Sequence, residues 1–146
     1  MVFGLSQWLA KFLARAVQAG AQTERELVYV KLPESLMPLE RGPRYEDPIQ
    51  ESLSAQRVGE VTGGGSQLGD PQPDGTRFIE FCGIDVEVTN LDRGRDLLRT
   101  RLAALGAPVG TELHFTIDGV KLQDELHSRG WLVDQPRTFL HPGFGV

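Results

Sequence analysis

The sequence predicts an α+β domain in which strand, helix and strand follow one another twice. Three observations carry this. The runs LVYVKL (27–32) and ELHFTI (112–117) alternate along the chain as half-buried strands do. Two stretches, opening near Asp47 and Asn90, set apolar residues at helical spacing behind a capping residue. Between them VGEVTGGGSQL (58–68) and RFIEFCGIDVEV (77–88) flank the turn-rich GDPQPDG, as two strands joined by a loop would.

Composition agrees with one folded domain. The chain has 146 residues, 40% hydrophobic and 24% charged, which is neither disordered nor membrane composition. We expect an amphipathic helix over 1–22 and a single α+β domain over 23–146, with a core at 27–117 and a C-terminal extension at 118–146. The formal net charge of −5 argues against nucleic acid as a partner, because an acidic chain gains nothing from counterion release. A basic ligand or protein partner, or self-association, fits better. One cysteine, Cys82, excludes an internal disulfide and any metal site built of several thiolates. It points to a reducing, cytoplasmic setting. No cofactor is expected.

Leu5, Trp8, Leu9, Phe12, Leu13, Ala16 and Val17 recur at helical spacing, with Lys11 and Arg15 opposite. Lys11 and Arg15 interrupt the apolar run, and no charged region precedes it, so 3–17 is not read as a signal peptide. Two basic residues make a weak case for a membrane anchor and a better one for docking on protein.

Pro33 ends the first strand, and 33–46, with three prolines and a Gly-Pro pair, reads as a loop. Asp47 then caps a short helix with Pro48 at its first position, Gln50 completing the capping box, and Ile49 and Leu53 facing the core. Glycine is unusual within a strand, and the second strand carries Gly63, Gly64 and Gly65 together. They imply a bulge or a close approach by Trp131, Phe139 or a partner's backbone. In the third strand Ile79 and Phe81 share one parity while Ile84, Val86 and Val88 take the other. That shift predicts a β-bulge at Cys82-Gly83. Asn90 or Asp92 caps the second helix, Leu97, Leu98, Leu102 and Leu105 form its stripe, and Gly106 and Pro108 stop it. After the fourth strand Asp118-Gly119 is a turn. Residues 120–130 are a short helix or a strand, and 131–141 an extended tail crossing the domain.

This order resembles the ferredoxin-like superfold over about residues 27–117. The VTGGG hairpin with CGIDVEV is also similar to small bacterial proteins of that plan. The resemblance implies four antiparallel strands in the order 4-1-3-2 with both helices on one face, and nothing about function.

Alternation then places Val28, Val30, Leu32, Ile84, Val86, Val88, Leu113, Phe115 and Ile117 towards the helices. Tyr29, Lys31, Asp85, Glu87, Glu112, His114 and Thr116 fall on the other face. Asp85 and Glu87 suit a basic group, with Tyr29, Lys31, His114 and the three glycines completing a candidate binding surface. The plain alternative is a solvated face with cross-strand ion pairs. A metal site is not expected, since no His-x-x-x-His or Glu-x-x-His spacing occurs. Cys82 reads as a buried structural thiol, and Asp118 and Asp124 as turn and surface residues.

No catalytic motif stands out, so the first expectation is a non-catalytic protein-interaction or regulatory module, by analogy a bacterial immunity protein that neutralises a basic toxin. A small-molecule sensor is the second. An enzyme using Asp85, Glu87 and His114 is the third, and a concave site lined by these three would favour it.

Overall fold

The computed structural model describes residues 24–141. The helix expected over 1–22 lies outside the described residues, as does the chain after His141. The elements are β1 (Glu26–Leu32), α1 (Pro38–Arg41), a π-turn (Gly42–Glu46), α2 (Asp47–Gln56), β2 (Gly59–Leu68), β3 (Ile79–Val88), α3 (Leu91–Ala104), β4 (Glu112–Ile117), β5 (Val120–His127) and β6 (Gly130–Pro136). The strands form one antiparallel sheet ordered β2-β3-β1-β4-β5-β6.

A six-stranded sheet overturns the four-stranded ferredoxin-like expectation. The C-terminal extension supplies the two further strands. Asp118 (φ 50°) and Gly119 (φ 79°) are both left-handed, so Ile117 and Val120 close a two-residue hairpin whose twist suits the strands it joins. β5 therefore continues the meander, and β6 pairs with β5 across a second turn between His127 and Gly130.

The segment 33–46 is not a loop throughout. Helix starts at Pro38, where Glu40 accepts a hydrogen bond from the Met37 backbone N–H at 3.0 Å. It runs through the π-turn into α2. Pro43 lacks an N–H and would break a regular helix, and the wider turn sits where that bond is lost. Asp47 is consequently inside the helical run and caps nothing. Gln50 instead accepts from the Val61 N–H of β2 at 2.7 Å. Arg57, at φ 57°, ends α2 in the left-handed conformation. In α3 the Asn90 side chain accepts from Arg93 N, the cap that the sequence implies.

The expected bulge at Cys82-Gly83 is absent, and β3 runs in unbroken register along β1 from Leu32↔Cys82 to Glu26↔Val88. The irregularities lie between β2 and β3, at Thr62 and at Glu80, each skipped in the pairing. The parity change has another cause. Phe81 shares a face with Gly83, Asp85 and Glu87, and that face is covered there.

The helices cover one side. Val28, Val30, Leu32, Ile84, Val86, Val88, Leu113 and Phe115 from the sheet pack with Ile49, Leu53, Leu98 and Leu102 from α2 and α3. Burying each such side chain contributes about 1.5–3 kcal/mol. Ile117 is only partly buried beside them. Asp124, expected at the surface, is fully buried on this side of β5, where it pairs with Arg95 and Arg99 of α3. Trp131 joins the same side, its Nε1–H donating to the Arg99 carbonyl at 3.2 Å. No helix among the described residues is long and apolar enough to cross a membrane.

Candidate functional site

The other side of the sheet carries the polar parity of β1, β3 and β4. Tyr29 lies at its middle, opposite Asp85 on β3 and His114 on β4. Lys31 stands opposite Gly83 and Glu112. This face is not open throughout. After β6 the chain turns back across it, held by Arg137. That buried guanidinium donates to the backbone carbonyls of Leu122 (3.0 Å), Phe115 (3.1 Å) and Phe139 (3.2 Å).

The tail thus sets two rings on the sheet. Phe139 meets Phe81 edge to face at 5.9 Å between ring centres, and His141 meets Tyr29 likewise at 4.4 Å. Lys31 Nζ lies 4.5 Å from the centre of Phe81 and 5.7 Å from that of Phe139, a cation over both rings.

Between tail, β1, β3 and β2 lies a cleft of about 410 Å³. Leu27, Tyr29, Phe81 and Phe139 give it apolar walls, and Asp85, Thr62, Gln67 and His141 give it polar groups. Gly64, Gly65 and Ser66 leave bare backbone along the third side. A second groove of about 380 Å³ runs between α2 and α3, lined mainly by charged and polar residues such as Gln56, Arg93 and Asp96, and gathers no such set of rings.

The glycines have separate reasons. None of the three is at positive φ. A side chain at Gly64 would meet Glu46 Oε2 at 2.6 Å and Arg41 Nη2 at 3.0 Å, so Gly64 makes room for a buried ion pair, not for Trp131 or Phe139. Gly63 lies against the Asp85 carboxylate, 3.1 Å from where its Cβ would be. At Gly65 a Cβ would meet nothing within 4 Å, because that position opens on the cleft. Gly83, expected at a bulge, instead has the Tyr29 phenol lying across it.

The titratable groups form a chain. Glu112 Oε1 is 2.7 Å from His114 Nε2, and His114 Nδ1 is 2.8 Å from His141 Nε2. His114 is fully buried, and burial holds its imidazole below the ordinary range despite Glu112. The hydrogen bond from His114, helped by Lys31, keeps the Glu112 carboxyl low. Burial also brings His141 down to about 4, with His114, Arg137, Lys121 and Lys31 adding repulsion. The Tyr29 phenol is pushed up to about 12 by burial, then by Asp85.

Of the residues expected to form a site, Tyr29, Gly64, Gly65 and Asp85 line the cleft. Gly63 lies beneath Asp85, and Lys31 is engaged by the two phenylalanines. His114 reaches the cleft only through His141, and Glu87 turns to Arg25 at 3.7 Å in a surface ion pair with Glu60 nearby. Asp85, Glu87 and His114 are therefore not one constellation. Phe81, Phe139 and His141 complete the site instead. Phe81 left a trace in the sequence, as an apolar residue on a polar parity, and so did Phe139, as a residue of a tail crossing the domain near the glycines, whereas His141 was not singled out. Among the described residues no His, Cys, Asp and Glu cluster suits a metal ion. Comparison with family models, curated proteins and solved structures finds no match for this chain, so its chemistry is read from these residues alone.

Proposed function

We propose that this chain is a non-catalytic small-molecule-binding module. Its ligand enters the cleft between the tail and strands β1, β3 and β2, laying an apolar or aromatic body on Leu27, Tyr29, Phe81 and Phe139. The observation that carries the reading is the cleft itself. Its volume of about 410 Å³ lies in the range of small-molecule sites, and its lining of rings with a few polar groups is their usual chemistry. The separation of Asp85, Glu87 and His114 favours binding over catalysis. With its single thiol, the cytoplasm is the compartment we propose for it.

A second reading, a protein-interaction module, draws on β2. It is a ten-residue edge strand, uncharged from Val61 to Leu68, and such an edge can accept a partner's strand. One variant separates the two. Gly65→Phe puts a ring into the cleft, where a Cβ meets nothing, without altering the outward backbone edge. Amide NMR of the full chain titrated with small aromatic compounds should show shifts confined to cleft residues, lost in Gly65→Phe. Shifts that survive the plug, or none at all, would reject the cleft. Self-association in sedimentation that is unchanged by the plug would favour β2.

A further inference from the structure

We propose that residues 3–17 of this chain dock in cis, as an amphipathic helix, over the cleft between the C-terminal tail and strands β1, β3 and β2, and so compete with the ligand for it. The docking goes beyond the small-molecule reading above, and the competition rests on that reading.

The sequence supplies an apolar stripe that needs cover. Leu5, Trp8, Leu9, Phe12 and Leu13 recur at helical spacing, and a short amphipathic helix gains its stability from packing that face. One side of the sheet is already packed by α2 and α3. The other is covered only where the tail crosses it. Leu27 and Phe139, both lining the cleft, stay 40% and 39% exposed there.

The point of entry selects the same side. The described chain opens at Glu24 and becomes β1 at Glu26, next to Leu27 of the cleft. Arg25 already leans on this side, its guanidinium 2.9 Å from Glu60 of β2 and 3.7 Å from Glu87 of β3. Residues 18–23 can span up to about 20 Å, enough to reverse direction. A helix over 3–17 would be about 22 Å long, and β3 from Glu87 back to Phe81 covers about 20 Å. The stripe can therefore return along a strand that floors the cleft. So short a tether gives an effective concentration of about a millimolar, which favours the same chain over a second copy.

Charge favours this pairing too. Of the formal net charge of −5, Lys11 and Arg15 contribute +2 and residues 1–23 hold no Asp or Glu, which leaves −7 on the rest. Glu60, Glu87 and Asp85 stand together at the end of the sheet where β1 begins. With the stripe on the cleft, Lys11 and Arg15 lie above this acidic margin.

Paramagnetic relaxation on the full chain tests the docking. A nitroxide on Gln7→Cys, with Cys82 buried, should broaden the amides of Leu27, Thr62, Gly65 and Asp85 and leave those of Arg93 and Thr100 on α3 sharp. Broadening of neither set, or of both equally, would overturn it. In a mixture of nitroxide-bearing protein with ¹⁵N-labelled parent the cleft should stay sharp, and broadening there would make the occupant a second copy and overturn the cis contact. Indole then tests the competition. Trp8→Ser with Phe12→Ser, in a full chain whose amide spectrum keeps the parent's dispersion, should bind indole about tenfold tighter, as expected when the segment fills about nine clefts in ten. Equal affinity alongside observed docking would overturn the competition and leave the small-molecule reading standing. Indole binding to neither protein would overturn that reading, and the competition with it, while the docking stands.

Discussion

Arg95 of α3 donates twice to the Asp124 carboxylate of β5, through Nε at 3.0 Å and Nη2 at 2.7 Å. Arg99 Nη1 and the Asp134 N–H reach the same carboxylate, at 2.6 and 3.0 Å, and the Arg95 guanidinium lies 3.9 Å from the Phe115 ring centre. Asp124→Ala should therefore leave buried Arg95 only the more exposed Asp134 and Asp92 carboxylates and cost about 3–5 kcal/mol in urea unfolding. The paired replacement Arg95→Met with Asp124→Leu should cost less than Asp124→Ala alone. An Asp124→Ala protein within about 1 kcal/mol of the parent would show that the network contributes little.

The glycines should separate by position. Gly64→Ala pushes into Arg41 and Glu46 and should lose about 1–3 kcal/mol. Gly65→Ala should be neutral or slightly stabilising, since it enters open space and restrains the unfolded chain. Gly83→Ala should displace the Tyr29 phenol, and its cost should shrink in a Tyr29→Ala background, a coupling that a double-mutant cycle measures. Equal losses at Gly64 and Gly65 would contradict the assignment.

Acid should loosen the tail. The native pKa of His141 is about 4 against an ordinary 6.5, so the unfolded state binds more protons between these values. Stability is complete above about pH 6.5 and falls as pH drops towards 4, and the lowered His114 acts in the same direction. Arg137, Lys121 and Lys31 face the ring and Glu112 is the carboxylate of the chain, so protonation adds charge to a mostly cationic surround. Denaturation midpoints over this range should decline less in His141→Gln than in the parent. Parallel curves for the two proteins would rule out the histidine.

Cys82 should be inert. It is fully buried opposite Leu32, and burial pushes its thiol up, so little thiolate is available. Native protein should react with a thiol reagent only as fast as it unfolds, and Cys82→Ser should cost about 1–3 kcal/mol through an unmatched hydroxyl. Rapid labelling of the native state would refute this.

The sequence by itself determined the strands and the helices opening near Asp47 and Asn90 between Leu27 and Ile117, which residues form the core face, the Asn90 cap and the shared face of Tyr29, Asp85 and His114. These follow from side-chain alternation and local capping, which neighbours along the chain dictate. Asp118-Gly119 also spelled a turn, although the strands after it lacked a clear alternation to announce them. Tertiary structure alone decided the rest. The helix from Pro38 forms through three prolines because packing of Tyr45 and the buried Arg41–Glu46 pair outweighs local propensity. Asp124 is buried because α3 brings two arginines to it. The cleft exists because Arg137 binds the carbonyls of Phe115 and Leu122, far back along the chain, and lays Phe139 and His141 on a face that alternation alone would leave to water. Contacts between residues so distant in sequence leave no period to read, and the site is built almost entirely from them.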